Sequence, residues 1–328
     1  MAHLSELINK VKAKLVPHTP GGRPPPWTPA PEQPHKDAKY AEATEDEYER
    51  AKRFCNLHAV NPPKLLPSNV VSRLSQEGCK PWEMVLPTSD RFRGRVESGT
   101  GEGSQGMTRV FTDRTCKDVL IVSNLPIMAG LYDIGGMEGV YYEVVIQKMG
   151  GIIGIGNSTS PSLHKSSVSS FLLWFVTGSV CLPHPDWRFP GWERLSVGLH
   201  LDDFMKFYDD PTGGRDYTTP GFTFQSPLPA GVSIGFGYEF KTSNIFFTYN
   251  GRRLGNAFGG VYVPRERYDV YAAIGVEGDN EFKVNFGTER FIWEEGNNRA
   301  WKVEGLAGKI AGPEDGETEE LPPYQESS

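Results

Sequence analysis

From about Val110 onward, apolar and polar residues alternate in short runs, each closed by Gly, Pro, Asn or Asp. Val119-Leu-Ile-Val122, Val140-Tyr-Tyr-Glu-Val-Val-Ile146 and Gly151-Ile-Ile-Gly-Ile-Gly156 are rich in β-branched and aromatic residues. So are Ser196-Val-Gly-Leu-His200, Val232-Ser-Ile-Gly-Phe-Gly-Tyr238, Ile245-Phe-Phe-Thr248, Val270-Tyr-Ala-Ala-Ile274 and Phe282-Lys-Val-Asn-Phe286. Short runs of this kind at near-regular spacing, with no helical pattern between them, predict an all-β, two-sheet antiparallel sandwich or a barrel. The sharpest local signal is Tyr249-Asn250-Gly251-Arg252. Asn-Gly accepts the positive φ of a type I′ turn, so Phe246–Tyr249 should pair back on Arg252–Leu254.

Upstream the pattern changes. Thr44 and Glu47 form a capping-box pair that opens a helix running to about His58, with Tyr48, Ala51, Phe54 and Cys55 on its apolar face; Pro62-Pro63 ends it. Leu4, Leu7, Ile8, Val11 and Leu15 recur at helical spacing beside Lys10, Lys12 and Lys14. They predict a short basic amphipathic helix, the one segment suited to membrane contact. Pro17 to Pro34, centred on Pro24-Pro25-Pro26-Trp27, lacks the N–H donors of helix or sheet interior and reads as a linker. The expected organisation is a flexible Pro-rich region over 1–43, a helix and linker over 44–109, a β-domain over 110–300 and a disordered acidic tail over 301–328.

The net charge of −7 argues against nonspecific nucleic-acid binding, which needs a basic face to displace counterions. Cys55, Cys79, Cys116 and Cys181 lie too far apart for a dense disulfide framework, which points to a reducing compartment. The N-terminus lacks an apolar signal core, and the longest apolar run, Phe171 to Val176, falls far short of the ~20 residues of a membrane span. The expectation is a soluble chain, cytoplasmic or nuclear, with the endosomal surface as a further location.

Catalytic chemistry finds little footing. Cys55…His58 and Cys181…His184 are two Cys-x-x-His pairs, but one belongs to a helix face and the other to a distant β-loop, so a four-ligand zinc site is not expected. Gly150-Gly-Ile-Ile-Gly-Ile-Gly156 lacks the Lys-Ser/Thr and following helix of a phosphate loop. Glycan hydrolysis needs two carboxylates converging on one bond. The candidates, Glu45-Asp46-Glu47 and His200-Leu-Asp202-Asp203, sit on a helix start and a strand-to-loop junction. The chain is expected to be no enzyme and to carry no metal or cofactor.

The order of several segments resembles the SPRY family: Val140-Tyr-Tyr-Glu-Val, Phe189-Pro-Gly-Trp192, Ser196-Val-Gly-Leu-His-Leu-Asp-Asp203, Gly231-Val-Ser-Ile-Gly-Phe-Gly-Tyr238, Ile245-Phe-Phe-Thr-Tyr-Asn-Gly251, Leu254-Gly-Asn-Ala-Phe258 and Val284-Asn-Phe-Gly287. The resemblance covers roughly residues 110 to 295 and is strongest to fungal SPRY proteins near the Ran-binding-protein and ubiquitin-ligase-adaptor branches. It implies a concanavalin-A-like sandwich that binds a partner protein through loops at one end. In such domains the strand ending Gly-Ile-Gly runs by a short turn into Phe-Pro-Gly-Trp. Here Asn157 to Arg188 intervene, and the excess, 157–178, is Ser-rich and then abruptly apolar. We read 157–178 as a translated intron, or alternatively as a lineage-specific loop; excision joins Gly156 to Ser179.

For the binding surface, loop residues of interface type stand out. Trp187, Arg188 and Trp192 offer aromatic area and a forked donor, although Trp192 is also a natural core residue. Tyr208, Arg215, Asp216 and Tyr217 flank an Asp-Pro-Thr-Gly-Gly turn, and Glu277, Gly278 and Asp279 form a late loop. In the acidic tail, Leu321-Pro322-Pro323-Tyr324 fits a WW-domain ligand, whose prolines preset a polyproline II strand and so lose little entropy on docking. With the resemblance to SPRY adaptors it suggests recruitment of a WW-domain ubiquitin ligase. The alternatives are a scaffold subunit of a larger complex and a glycan-binding or glycan-cleaving sandwich.

Overall fold

The computed structural model describes residues 45–98, 106–150, 175–210, 214–217, 219–261, 268–306 and 310. Two antiparallel sheets face each other. The seven-stranded sheet runs, in spatial order, β1 (Gly94–Glu97), β2 (Thr108–Thr112), β13 (Asp279–Asn285), β4 (Gly139–Gly150), β9 (Ser233–Glu239), β10 (Asn244–Tyr249) and β11 (Arg252–Phe258). The six-stranded sheet runs β3 (Val119–Met128), β12 (Val270–Val276), β5 (Phe175–Cys181), β6 (Val197–His200), β7 (Met205–Tyr208) and β8 (Arg215–Asp216). The expected all-β sandwich is what the chain builds, and the expected hairpin is present. Tyr249 pairs with Arg252, while Asn250 and Gly251 take φ of 47° and 74°.

The inner faces meet in one apolar core that includes Tyr142, Val144, Phe236, Phe247, Phe282 and Val284 from one sheet and Ile121, Leu199, Ala272 and Ile274 from the other. The outer faces are covered as well, which explains why Gly139 to Val144 of β4 is buried at every position rather than at alternate ones. On the seven-stranded sheet, Tyr141 and Phe246 lie beneath Phe291, Trp293 and Trp301. On the six-stranded sheet, the segment after β5 lays Phe189 and Trp192 across Phe207. Two strand glycines make room for these layers. A Cβ on Gly237 would stand 2.2 Å from the Phe246 ring, and one on Gly275 would stand 2.5 Å from Phe189.

The expected helix over 44–58 forms as α1 (Glu45–Leu57). It is docked rather than free: Arg194, at φ 59°, donates to the carbonyls of Cys55, at 2.9 Å, and His58. A guanidinium there satisfies the carbonyls left open at the helix C-terminus and complements its dipole. A second helix, α2 (Ser68–Glu77), had no counterpart in the sequence reading.

The expected domain limits are too narrow at both ends. Leu74, Cys79, Trp82, Met84 and Phe92 join the main core, so 44–109 is no mere linker. Trp301 and Val303 are buried, and Ile310 bridges to Tyr132, so the packed chain runs past residue 300. Of the candidate insertion, 157–174 lie outside the described residues, but Phe175–Gly178 open β5 in the middle of the six-stranded sheet. The run Gly151–Gly156, the basic helix over Leu4–Leu15 and the tail motif also lie outside the described residues.

Candidate partner-binding end

One corner of the sandwich gathers the β12–β13 turn, the β2–β3 loop and the segment after β5. The turn is pinned by its backbone: Gly278 N–H donates to Cys116 O at 2.9 Å, and Thr112 Oγ1 donates to Gly278 O at 2.5 Å. Asn280 Nδ2 closes the turn on Glu277 O at 2.7 Å. Asp279 is held by Lys148 at 2.7 Å and faces Arg114 at 3.8 Å. The β2–β3 loop is in turn tied to the stretch before β1. Asp113 N–H bonds Arg93 O, Lys117 N–H bonds Arg91 O, and Arg91 Nε donates to Asp118 O at 2.8 Å.

Two carboxyl groups meet at this corner. Burial, followed by the neighbouring Asp118 charge, pushes Glu277 up to about 8. Burial also raises Asp118 to about 6, against the pull of Arg91. Near neutral pH Glu277 therefore holds its proton while Asp118 is largely ionised. Because the folded state binds that proton more tightly than the unfolded chain, Glu277 contributes stability below the ordinary glutamate range. The contribution is lost as pH rises through about 8. Glu277→Gln is expected to flatten this slope, so that thermal melts at about pH 5 and about pH 9 differ less than in the parent, by on the order of a few degrees. Parallel profiles would contradict it.

The structure separates the residues that the sequence reading grouped. Trp187 and Arg188 lie near the Glu277–Gly278–Asp279 turn: Leu120 N–H bonds Asp186 O, and the Arg188 charge reaches Asp118. Trp187 is half-buried against Phe54, 5.8 Å away edge-on, with the Arg50 guanidinium 4.1 Å over its ring. Arg188 offers a partner no surface, since it is 1% exposed, donates through Nε to both Glu193 oxygens at 3.0 Å and stacks on Trp192. Trp192 is core, as its bulk favours, and Gly278 is buried. Tyr217 is buried beside Phe204, with its hydroxyl donating to Gly255 O. Tyr208 ends β7 at the opposite end and packs on Phe258, while Arg215 and Asp216 are exposed on the edge strand β8. Glu277 and Asp279 therefore remain, with Trp187 partly, as surface at the corner, while Arg215 and Asp216 form a separate edge. The sequence reading missed Asp118, Arg91 and Lys117, which lie in stretches without a motif.

A second pair of carboxyls, Asp202 and Asp203, follows β6; burial raises both, helped by the Asp203 charge at Asp202 and by the Asp216 charge at Asp203. They are the strand-to-loop carboxylates of the glycan-cleaving alternative. Among the described residues no group of three or more His, Cys, Asp or Glu is arranged to hold a metal ion.

Two antiparallel sheets, covered on both outer faces and carrying an assembled corner of loops, make up a β-sandwich. The SPRY domain model matches residues 139–289, so this stretch of the chain carries a SPRY domain, in general a protein-interaction module. Protein ssh4 of Sclerotinia sclerotiorum is 26% identical over 85% of this chain and 42% of its own length; protein ssh4 of Neurospora crassa is 26% identical over 85% and 44%. A SPRY domain-containing protein of Schizosaccharomyces pombe is 29% identical over 42% of this chain and 32% of its own length. The chain thus spans less than half the length of these relatives. A solved human SPRY domain covers 60% of this chain and 99% of that one at 20% identity, with a TM-score of 0.38.

Proposed function

We propose that this chain is a non-catalytic adaptor: its SPRY sandwich holds a target protein through the loop corner around Glu277 and Asp279, and Leu321-Pro322-Pro323-Tyr324 recruits a WW-domain ubiquitin ligase. The observation that carries the reading is the presence on one chain of a SPRY domain and a Leu-Pro-Pro-Tyr segment set among acidic residues. Two binding elements on one chain raise the effective concentration of ligase at target without any new contact between them. The work would take place in the cytoplasm or nucleus, and at the endosomal surface if the basic helix over Leu4–Leu15 touches an anionic membrane. The test is capture of partners by the full chain and by its Tyr324→Ala variant. A WW-domain ligase should be retained by the first and absent from the second, because the tyrosine fills the second pocket of such a domain.

A further inference from the structure

A cavity of about 470 Å³ lies beside the loop corner, lined by Arg50 of α1, Ser89, Asp90, Arg91 and Arg93 of the stretch before β1, Thr115 and Lys117 of the β2–β3 loop, and Asp186 with Trp187. Its four cations face two carboxylates, in a chain whose net charge is −7. The cations differ in what they already hold. Arg91 is committed to Glu47 at 3.5 Å and Asp118 at 3.8 Å. Among the described residues Arg93 donates to the carbonyls of Asp90 and Phe92 and has no carboxylate within ion-pair distance. The Arg50 guanidinium lies 4.1 Å from the centre of the Trp187 ring, a cation–π contact that takes up no acceptor. Neither Arg50 nor Lys117 has a carboxylate partner among the described residues.

The walls are fixed before any ligand arrives. Backbone bonds of 3.0 and 3.1 Å zip Arg93 and Arg91 to Asp113 and Lys117, and Arg194 holds the end of the helix that carries Arg50. Preorganised donors lose little entropy on binding. Arg91 is matched by Glu47 and Asp118, which leaves Arg50, Arg93 and Lys117 as the cations open to a ligand, against the lining carboxylates of Asp90 and Asp186.

We propose that this cavity seats an acidic stretch of the SPRY partner, with Arg50, Arg93 and Lys117 receiving its carboxylates and Trp187 packing against its chain. The proposal rests on the reading of the loop corner as a partner surface and names what that surface selects. A peptide fits better than a nucleic acid: the cationic lining is confined to one cavity, and the negative remainder of the chain repels an extended polyanion. The cavity shares Thr115 and Lys117 with the loop that pins the Glu277–Asp279 turn, so one peptide can touch both.

The experiment selects from a random-peptide display library on the immobilised full chain and, in parallel, on its Arg50→Glu/Lys117→Glu double variant. Both side chains are exposed, so unchanged thermal melts check that the variant is folded. Peptides retained by the parent should be enriched in Asp and Glu. They should bind the variant at least roughly tenfold more weakly, and lose a similar factor between low salt and about 0.5 M salt. Peptides retained without acidic bias, or bound equally by the variant, overturn the proposal and leave the partner surface standing. If neither bait retains any peptide, the reading of this corner as a peptide-binding surface fails together with it.

Discussion

Glu143→Ala should remove about 3–5 kcal/mol of stability, the cost of stripping one buried carboxyl acceptor from several donors. Glu143 is 1% exposed on the outer face of β4. It accepts from the Tyr141 hydroxyl at 2.8 Å and from the backbone N–H groups of Ile292 at 3.1 Å and Trp293 at 3.0 Å. Those bonds fasten the segment bearing Phe291, Trp293 and Trp301 over Tyr141 and Phe246. Burial, the larger influence, raises its pKa, and the bonds from the Trp293 and Ile292 N–H groups and the Tyr141 hydroxyl pull it part of the way back. Alanine leaves the Ile292 and Trp293 N–H groups without that acceptor beneath an aromatic layer, while the Tyr141 hydroxyl keeps Thr248 Oγ1 at 2.7 Å. Glutamine retains an acceptor but turns a second donor toward them, so about 1–3 kcal/mol is expected there. Denaturant unfolding measures both, and hydrogen exchange should show the 289–306 segment opening first. A loss below about 1 kcal/mol for alanine would mean that this segment is not fastened by Glu143.

Removal of residues 157–178 should leave a folded sandwich that melts cooperatively. In the full chain, Phe175–Gly178 supply the first half of β5, with Thr177 opposite Ile274 and Leu199, and Gly178 opposite Ala273 and Gly198. Joining Gly156 to Ser179 slides Ile153-Gly154-Ile155-Gly156 into those four positions. Gly156 then repeats the glycine opposite Gly198. Ile155 takes the inward place of Thr177, exchanging a 3.2 Å hydroxyl contact with Tyr142 for apolar burial in a core of Phe236 and Phe286. Gly154 falls opposite Gly275, beneath the Phe189 ring, where small residues suit the close approach. The flanking residues also fit a translated intron. Gly156-Asn157 can be encoded GGT-AAY and Thr177-Gly178 ACA-GGN, placing GT and AG boundaries in the same reading phase. Deletion of 175–181, by contrast, removes β5 itself from between β12 and β6 and should abolish folding. A Δ157–178 protein that is insoluble or lacks a cooperative melt would show that the segment is integral to the fold.

The sandwich was legible because its signal is local. Alternation, β-branched residues and Asn250-Gly251 each fix a strand or turn without reference to the rest of the chain. The limits of the packed body were hidden for the opposite reason. Trp82, Phe92, Trp293 and Trp301 join the core through contacts with distant strands, from stretches with no strand or helix period of their own. β5 escaped because an apolar run without alternation does not distinguish a strand covered on both faces from an insertion. The candidate site suffered most. Arg188, Trp192 and Tyr217 are residue types that dominate interfaces, yet the same bulk and hydrogen-bonding capacity suit them to the positions they fill beneath the outer layers. The corner that the fold does assemble depends on Asp118, Arg91 and Lys117 meeting Glu277 across long sequence separations. No spacing rule announces such a meeting.

The measurement that bears most directly on the adaptor account is the paired capture from native extract, with the full chain and Tyr324→Ala as baits under identical conditions. The account predicts that both baits retain the same SPRY targets, while a WW-domain ubiquitin ligase accompanies the parent and is missing from the variant. If the two baits recover the same proteins and no such ligase, the tail recruits nothing. The adaptor account is then contradicted in favour of a scaffold subunit held in place by its sandwich alone.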